Sequence, residues 1–412
     1  MITILCSGSR GDFQPYIALA QSLKKAGIPV RIAASKSFQE FVMQYGVDIY
    51  PLMIDYKTVD LDPRLIKQTQ SADNPLKMLF TFNKMKNFVI DMADEMYDAC
   101  AGSDLIVYHP GCAIGYFAAE HMGIPSVLAA PFPMHRTKEV ASVIAYGHQR
   151  MPNSLSYTLL QGFLWMAAKS SAAIVLKNRL GKLPKNFACP FERADETHPA
   201  LISCSAVVFP RPKDWNEHIH QYGYWFVEEP ADYTPSEELA RFLSAGEKPI
   251  YFGFGSVFHE DDTDRFIQII SEALSLTNRR GIISGMGSGM HLPDHMFAVG
   301  SIPHSWLFSK VSAVCHHGGA GTTAAGFKAG VPSIIIPFSN DQFAWAHRAY
   351  DLGVGTKPLS RKKLNASDLA SAIEAAHSDQ MRTNAKKLAE NIATENGARD
   401  CASVITQLLI KA

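Results

Sequence analysis

The sequence has no charge excess of either sign: 39 lysines and arginines balance 39 aspartates and glutamates, and only 19% of the 412 residues are charged. A nucleic-acid partner is therefore not indicated, since a basic field is what gathers phosphate backbones. Paired cysteine motifs are missing as well. The seven cysteines (Cys6, Cys100, Cys112, Cys189, Cys204, Cys315 and Cys401) are odd in number and scattered, with no Cys-x-x-Cys. This argues against a disulfide framework or a zinc site and for a reducing, cytoplasmic home. The opening Met1-Ile2-Thr3-Ile4-Leu5-Cys6 reaches Gly8 and Arg10 without the basic head and long apolar core of a classical export signal. The most apolar run, Leu159 to Val175, is interrupted by Gln161 and Lys169 and falls short of the ~20 residues of a membrane span. A buried or interfacial helix is expected there, with peripheral membrane contact left open. No short repeat or low-complexity tract occurs.

What is present is an alternation of short apolar runs with helical periodicity. Ile2 to Cys6 leads through Ser7-Gly8-Ser9-Arg10-Gly11-Asp12 into a helix with Tyr16, Leu19, Ala20 and Leu23 at i, i+3, i+4, i+7, starting near Pro15 and stopping at Gly27. Strands at Val30 to Ala34, Val47 to Leu52, Leu105 to Tyr108 and Ser126 to Ala130 continue the rhythm. About 75 residues of helical and aromatic material follow, then a short strand at Ala206 to Phe209. From Pro249 the pattern restarts, with strands at Ile250 to Phe254, Gly281 to Ser284, Phe297 to Val299, Val311 to Cys315 and Pro332 to Pro337. The fold class predicted is α/β, two Rossmann-like, doubly wound parallel sheets. The expected division is residues 1–215, a proline- and acid-rich linker at 216–248, a second domain at 249–390, and a terminal helix from 391 that crosses back to the first.

The most informative segment is His316-His317-Gly318-Gly319-Ala320-Gly321-Thr322-Thr323, between an apolar strand and a helix. Glycines let the backbone approach a bulky anion, and the helix start presents unpaired N–H groups with a favourable dipole. Thr322 and Thr323 add hydroxyls. Pro337-Phe338-Ser339-Asn340-Asp341-Gln342 ends the next strand, at the edge where open α/β sheets bind ligands. Asp341 and Gln342 suit sugar hydroxyls, with helix capping as the competing role. At the end of the first strand, the Asp12 carboxylate is a candidate general base for an acceptor hydroxyl, again against capping.

Together these segments resemble the nucleotide-sugar glycosyltransferases with two Rossmann lobes, the GT-B architecture of the UDP-glycosyltransferase superfamily (family 1). The nearest branch is that of the sterol 3-β-glucosyltransferases and bacterial antibiotic glycosyltransferases. The resemblance rests on the His-His-Gly-Gly-Ala-Gly-Thr-Thr run, the Gly-Val-Pro at Gly330 to Pro332 and the Pro-Phe…Asp-Gln-Phe pattern. Gly8 to Pro15, Gly253-Phe254-Gly255-Ser256 and Ser301-Ile302-Pro303-His304 also carry it. It implies two lobes facing across a cleft, a UDP- or dTDP-sugar donor, no cofactor and no metal. By family position, His317 and the backbone of Gly319, Ala320, Gly321 and Thr322 meet the diphosphate, Ser256 supports it, Asp341 and Gln342 hold the sugar, and Ile302 and His304 lie near the base. Many plant relatives carry Trp where Ile302 stands. His109 falls where many relatives place the aspartate that orients a catalytic histidine, so acid and imidazole are exchanged between two strand ends.

The implied reaction is inverting transfer of a hexose, glucose above all, to a hydrophobic alcohol such as a sterol, terpenoid or polyketide. Phe13 and the apolar insertion between Pro131 and Leu183, with Phe132, Met134, Phe163, Trp165 and Met166, are the expected acceptor walls. Asp261-Asp262-Thr263-Asp264 looks like a metal-binding pair, but its place before a helix suits the dipole better. A nucleotide-sugar epimerase and a non-catalytic nucleotide-sugar or lipid-binding relative are the rival readings.

Overall fold

The computed structural model describes residues 1–54, 85–147, 150–228, 233–255, 262–286, 291–339 and 341–411. Two compact units divide the chain: Met1–Glu228 with Glu395–Ala412, and Glu229–Thr394.

In the first unit, β1 (Ile2–Leu5), β2 (Val30–Ser35), β3 (Asp48–Leu52), β4 (Leu105–Tyr108), β5 (Ser126–Ala130), β6 (Ala200–Ile202) and β7 (Ile219–His220) form one parallel sheet ordered β3-β2-β1-β4-β5-β6-β7. Ile2, Ile4, Val30, Ile32, Leu105 and Val107 share a core with Phe13, Tyr16, Ile17, Ala20 and Leu23 of helix Arg10–Lys25. Cys401, Ala402, Ile405 and Leu408 of the last helix, Gly397–Lys411, complete that core.

In the second unit, β8 (Ile250–Gly253), β9 (Gly281–Ser284), β10 (Met296–Val299), β11 (Ala313–His316) and β12 (Ser333–Ile335) form a parallel sheet ordered β10-β9-β8-β11-β12. Successive strand residues alternate between two cores, as the pleat requires. Phe252, Ile283 and Cys315 join the layer containing Phe266 and Leu369, whereas Tyr251, Ile282 and Val314 join the layer containing Leu307 and Phe308.

Four local expectations change. Ala206 to Phe209 is a turn, because the Ser205 carbonyl accepts from the backbone N–H of Val208 and Phe209; the strand is Ala200–Ile202. Within 216–248, Ile219–His220 is a sheet strand, and helix Glu237–Ser244, capped by Ser236, buries Leu239 in the second unit. The terminal helix is two, Asp379–Ala393 and Gly397–Lys411. The break occurs where Glu395 accepts from Ser205 Oγ at 2.7 Å. A Cβ on Gly397 would stand 2.4 Å from the Gly223 carbonyl oxygen. Finally, the apolar insertion folds as one 28-residue helix, Asn153–Leu180, longer than its uninterrupted apolar run.

Ile405 has no solvent exposure and sits in the core of the first unit. Ile405→Ala is expected to destabilise that unit by ~2–5 kcal/mol, read as a lower urea midpoint of the full chain.

Candidate functional site

In both sheets the strand order reverses between two neighbours, β1 and β4 in one and β8 and β11 in the other. The carboxyl ends at such reversals leave a crevice that no crossover helix covers. Asp12 and His109 follow β1 and β4, and the His317 turn follows β11, at these ends; Asp341 and Gln342 follow the adjoining β12, and Ile302 and His304 follow β10.

In the first unit, helix Arg10–Lys25 begins five residues before Pro15, because Ser9 and Asp12 form a reciprocal capping box. Asp12 Oδ2 accepts from Ser9 N at 2.7 Å and from Ser9 Oγ at 2.9 Å. Its other oxygen has no hydrogen-bond partner among the described residues, and the side chain is exposed. Gly8, at φ +129°, is required here: a Cβ would stand 2.4 Å from the Asp12 carboxylate. Capping therefore orients the carboxylate without covering it.

His109 follows β4, held by its own N–H to the Leu5 carbonyl, so it stands beside the end of β1. Its Nδ1 accepts from Gly111 N at 3.0 Å, which leaves the proton of the neutral ring on Nε2. Burial lowers its pKa, and the negative Asp12 opposes the shift. No hydrogen bond joins the two side chains, which are coupled through space. Tyr16, edge-on to the imidazole at 5.9 Å and bonded to the Ala129 carbonyl, completes the wall.

In the second unit, β11 ends at His316, and helix Ala320–Ala329 starts after the Gly319 cap. The first intrahelical N–H bond runs from Thr323 to the Gly319 carbonyl, so the N–H groups of Ala320, Gly321 and Thr322 remain outside the ladder. Thr322 is half-buried with its hydroxyl at this end, whereas Thr323 is fully buried and returns its Oγ1 to Gly319. Only the first of the two threonines can serve a ligand. Gly318 has φ +89°, and a Cβ there would meet the Gln342 carbonyl and Ile335 at 2.9 Å. His316, wholly buried, fixes this turn by accepting from Gly318 N through Nδ1.

His317 lies against Gly255 and Gly319, where added Cβ atoms would come within 3.0 and 2.5 Å of its ring. Burial brings its pKa down to about 4, with the Gly253 backbone opposing and His304 assisting. It is a neutral N–H donor at pH 7, not a cation. His304 stacks on Phe308 at 4.5 Å and is likewise lowered to about 4 by burial. Ile302 packs, half-buried, against the core containing Phe308. Ser256 lies outside the described residues, as does Asp261.

Asp341 and Gln342 begin helix Gln342–Asp351. Gln342 Oε1 accepts from the N–H groups of Phe338 and Ser339 at 2.8 and 3.1 Å, so its amide nitrogen is the part left to meet a hydroxyl. Asp341 Oδ2 accepts from Trp345 Nε1 at 2.8 Å.

The expected acceptor walls do not assemble. Phe13 is 1% exposed and stacked on Phe38 at 4.4 Å, because the early helix start turns it onto the core face. Met134 has no exposure, and Trp165 is buried against Phe117 and Phe187. Met166 is 54% exposed on the opposite side of its helix. Phe132 and Phe163 are half-buried. Asp262 pairs with Arg361 at 2.5 Å and Asp264 lies in the first turn of helix Thr263–Leu276, so both have roles as helix-start residues. The structure also gives roles to residues that the sequence reading does not single out for the site. Ser9, Tyr16, His316 and Gly255 shape it; His316 and Gly255 stand within the motifs already read, the Ser9-x-x-Asp12 spacing carries a capping signal, and Tyr16 reads from the sequence only as core.

Two family models match. Residues 2–141 fit the glycosyltransferase family 28 N-terminal domain, and residues 284–409 fit the erythromycin biosynthesis protein CIII-like C-terminal domain. The chain is 32% identical, over 98% of its length, to a sterol 3-beta-glucosyltransferase of Debaryomyces hansenii. It is 32% identical, over 96% of its length, to the sterol 3-beta-glucosyltransferase UGT80A2 of Arabidopsis thaliana. It spans 26% of the first protein and 63% of the second. Among solved structures, the glycotransferase of kitacinnamycin superposes with TM-score 0.73 at 18% identity, covering 99% of this chain and 98% of that one. The Streptomyces sp. SF2575 glycosyltransferase SsfS6, solved with thymidine diphosphate, gives TM-score 0.63 at 18% identity, with coverage of 98% and 99%.

The low pKa of His317 fixes a pH signature. A bound diphosphate favours the imidazolium, so affinity for an intact nucleotide sugar should be flat from pH 8 to 6 and rise below about pH 5 as the ring gains its proton. Calorimetric titration checks this, and His317→Gln should abolish the acid-side rise.

Proposed function

Because the chain belongs to the GT-B nucleotide-sugar glycosyltransferases, we propose that it transfers a hexose, glucose foremost, from a UDP- or dTDP-sugar to the hydroxyl of a lipophilic alcohol with inversion at the anomeric carbon. The observation that carries the reading is the diphosphate cradle: open N–H groups at Ala320, Gly321 and Thr322, a neutral His317 and the close-approach glycines Gly318 and Gly319. As the glycosidic bond breaks, negative charge gathers on the leaving diphosphate, and donors already aimed at it act more strongly on the transition state than on the ground state. The helix terminus thereby takes the part a divalent cation plays elsewhere.

Asp12 supplies the other half. Its uncommitted oxygen takes the acceptor proton as that hydroxyl attacks, while Ser9 holds the first oxygen fixed. His109 is a positioning residue that stands beside the end of β1, keeps its ring proton on Nε2 and responds to the carboxylate charge. The amide of Gln342 and the carboxylate of Asp341 hold the sugar; Ile302 and His304 border the base. The lipophilic acceptor class is supported by the names of the sterol-glucosylating relatives, with Phe132 and Phe163 the half-buried aromatics available to it. The seven unpaired cysteines support a cytoplasmic location.

A panel of nucleotide sugars against sterol, terpenoid, polyketide and saccharide acceptors, read by mass spectrometry, tests the assignment. Lipophilic alcohols should be glycosylated faster than saccharides. In Asp12→Asn turnover should fall by about 10²–10⁴ while donor affinity holds, as loss of proton transfer requires. Excess chelator should leave the rate unchanged, and loss of activity restored by magnesium or manganese would overturn the metal-independent reading.

A further inference from the structure

Helix Asn153–Leu180 has two unlike faces. Tyr157, Leu160, Trp165, Val175 and Leu176 are buried in the first unit. On the other side Leu155, Leu159 and Met166 are 46%, 47% and 54% exposed, and Gly162, Lys169 and Lys177 are exposed as well. At 100° per residue these six positions fall within an arc of about 80°, a continuous stripe. The first half of the stripe is apolar over roughly 17 Å, and the second half carries the two lysines. Ile144 and Met151, in the segment leading into the helix, are also exposed, and Ser142 N ties that segment to Ser156 Oγ at 2.9 Å.

Charge along this stretch of the chain is one-sided although the whole chain is balanced. From Val140 to Phe191 there is no aspartate or glutamate, while Arg150, Lys169, Lys177, Arg179, Lys182 and Lys185 all fall there. Arg179 is held by Asp94 and Asp98. Arg150, Lys169, Lys177, Lys182 and Lys185 are exposed and make no ion pair or hydrogen bond among the described residues. The helix is long and apolar enough to cross a bilayer by length and composition. Its other face, however, is built into the unit's core, which would have to be dismantled for a span.

An exposed apolar stripe flanked by unpaired cations, in a stretch free of acids, is complementary to one kind of surface: acyl chains beneath anionic headgroups. We propose that this face seats the first unit on the surface of an anionic phospholipid bilayer, with Leu155, Leu159 and Met166 at the acyl boundary and Lys169 and Lys177 among the headgroups, without spanning. The inference stands apart from the proposed transfer chemistry.

The test is co-sedimentation of the full chain with phosphatidylcholine vesicles, with and without phosphatidylserine. The chain should bind the anionic vesicles and bind them less at high salt. Leu155→Gln with Leu159→Gln should abolish binding to either vesicle. Lys169→Gln with Lys177→Gln should lower affinity for anionic vesicles roughly 30-fold, about fivefold for each lysine, and leave binding to neutral ones unchanged. Nucleotide-sugar affinity and circular dichroism should match the parent in both variants, and the lysine pair carries the test if the leucine pair fails to fold. A parent chain that stays in solution with anionic vesicles, or equal binding by parent and variants, overturns the proposal. So does a homodimer that ignores vesicles and dissociates in the leucine variant, which would assign the face to a second copy.

Discussion

The reversal of strand order in each sheet is the constraint on which the chemistry depends. Crossover helices on either side of β1 and β4, and of β8 and β11, run to opposite faces, so the strand ends between them stay uncovered. Everything placed there is short: a glycine turn, a helix cap, one imidazole. The first unit uses its opening to hold a carboxylate and the second to hold an array of N–H donors. One topological device thus yields opposite electrostatics, decided by which residues occupy the turn.

In both units the groups that stabilise the fold also prepare the site. The capping box at Ser9 and Asp12 starts a helix and aims a carboxylate; the Gln342 side-chain carbonyl closes a loop and leaves its amide nitrogen uncommitted. The partners are fixed before any ligand arrives, so little reorganisation accompanies binding. This explains why sequence arguments that weigh cap against catalyst pose a false choice at these positions. A carboxylate has two oxygens and a carboxamide two ends, and each residue divides them.

The sheet was legible wherever an apolar run was bounded by turn residues. Leu105–Tyr108, Ser126–Ala130 and Gly281–Ser284 coincide with the strands read from the sequence. Ala200–Ile202 was not legible: three residues are too few for a period, and the choice against Ala206 to Phe209 was made by the Ser205 turn. The glycine cradle could be read because positive φ and close approach leave a compositional trace. Burial leaves none, so the neutrality of His317 and the different fates of Thr322 and Thr323 emerged only with packing. Phe13 stands three residues before Tyr16 and seven before Ala20, on the core stripe; a helix start placed too late hid that pattern.

The last helix belongs to the first unit, whose opening strand lies at the other end of the chain. During synthesis the sheet of the first unit emerges early, but Cys401, Ile405 and Leu408 leave the ribosome only after the whole second unit has been made, an interval on the order of ten seconds or more at cellular elongation rates. For that time an apolar strip of helix Arg10–Lys25 has no permanent cover. The second unit is continuous in sequence and can close first, so the order of maturation runs against the order of synthesis, and the nascent first half is a natural client for chaperones.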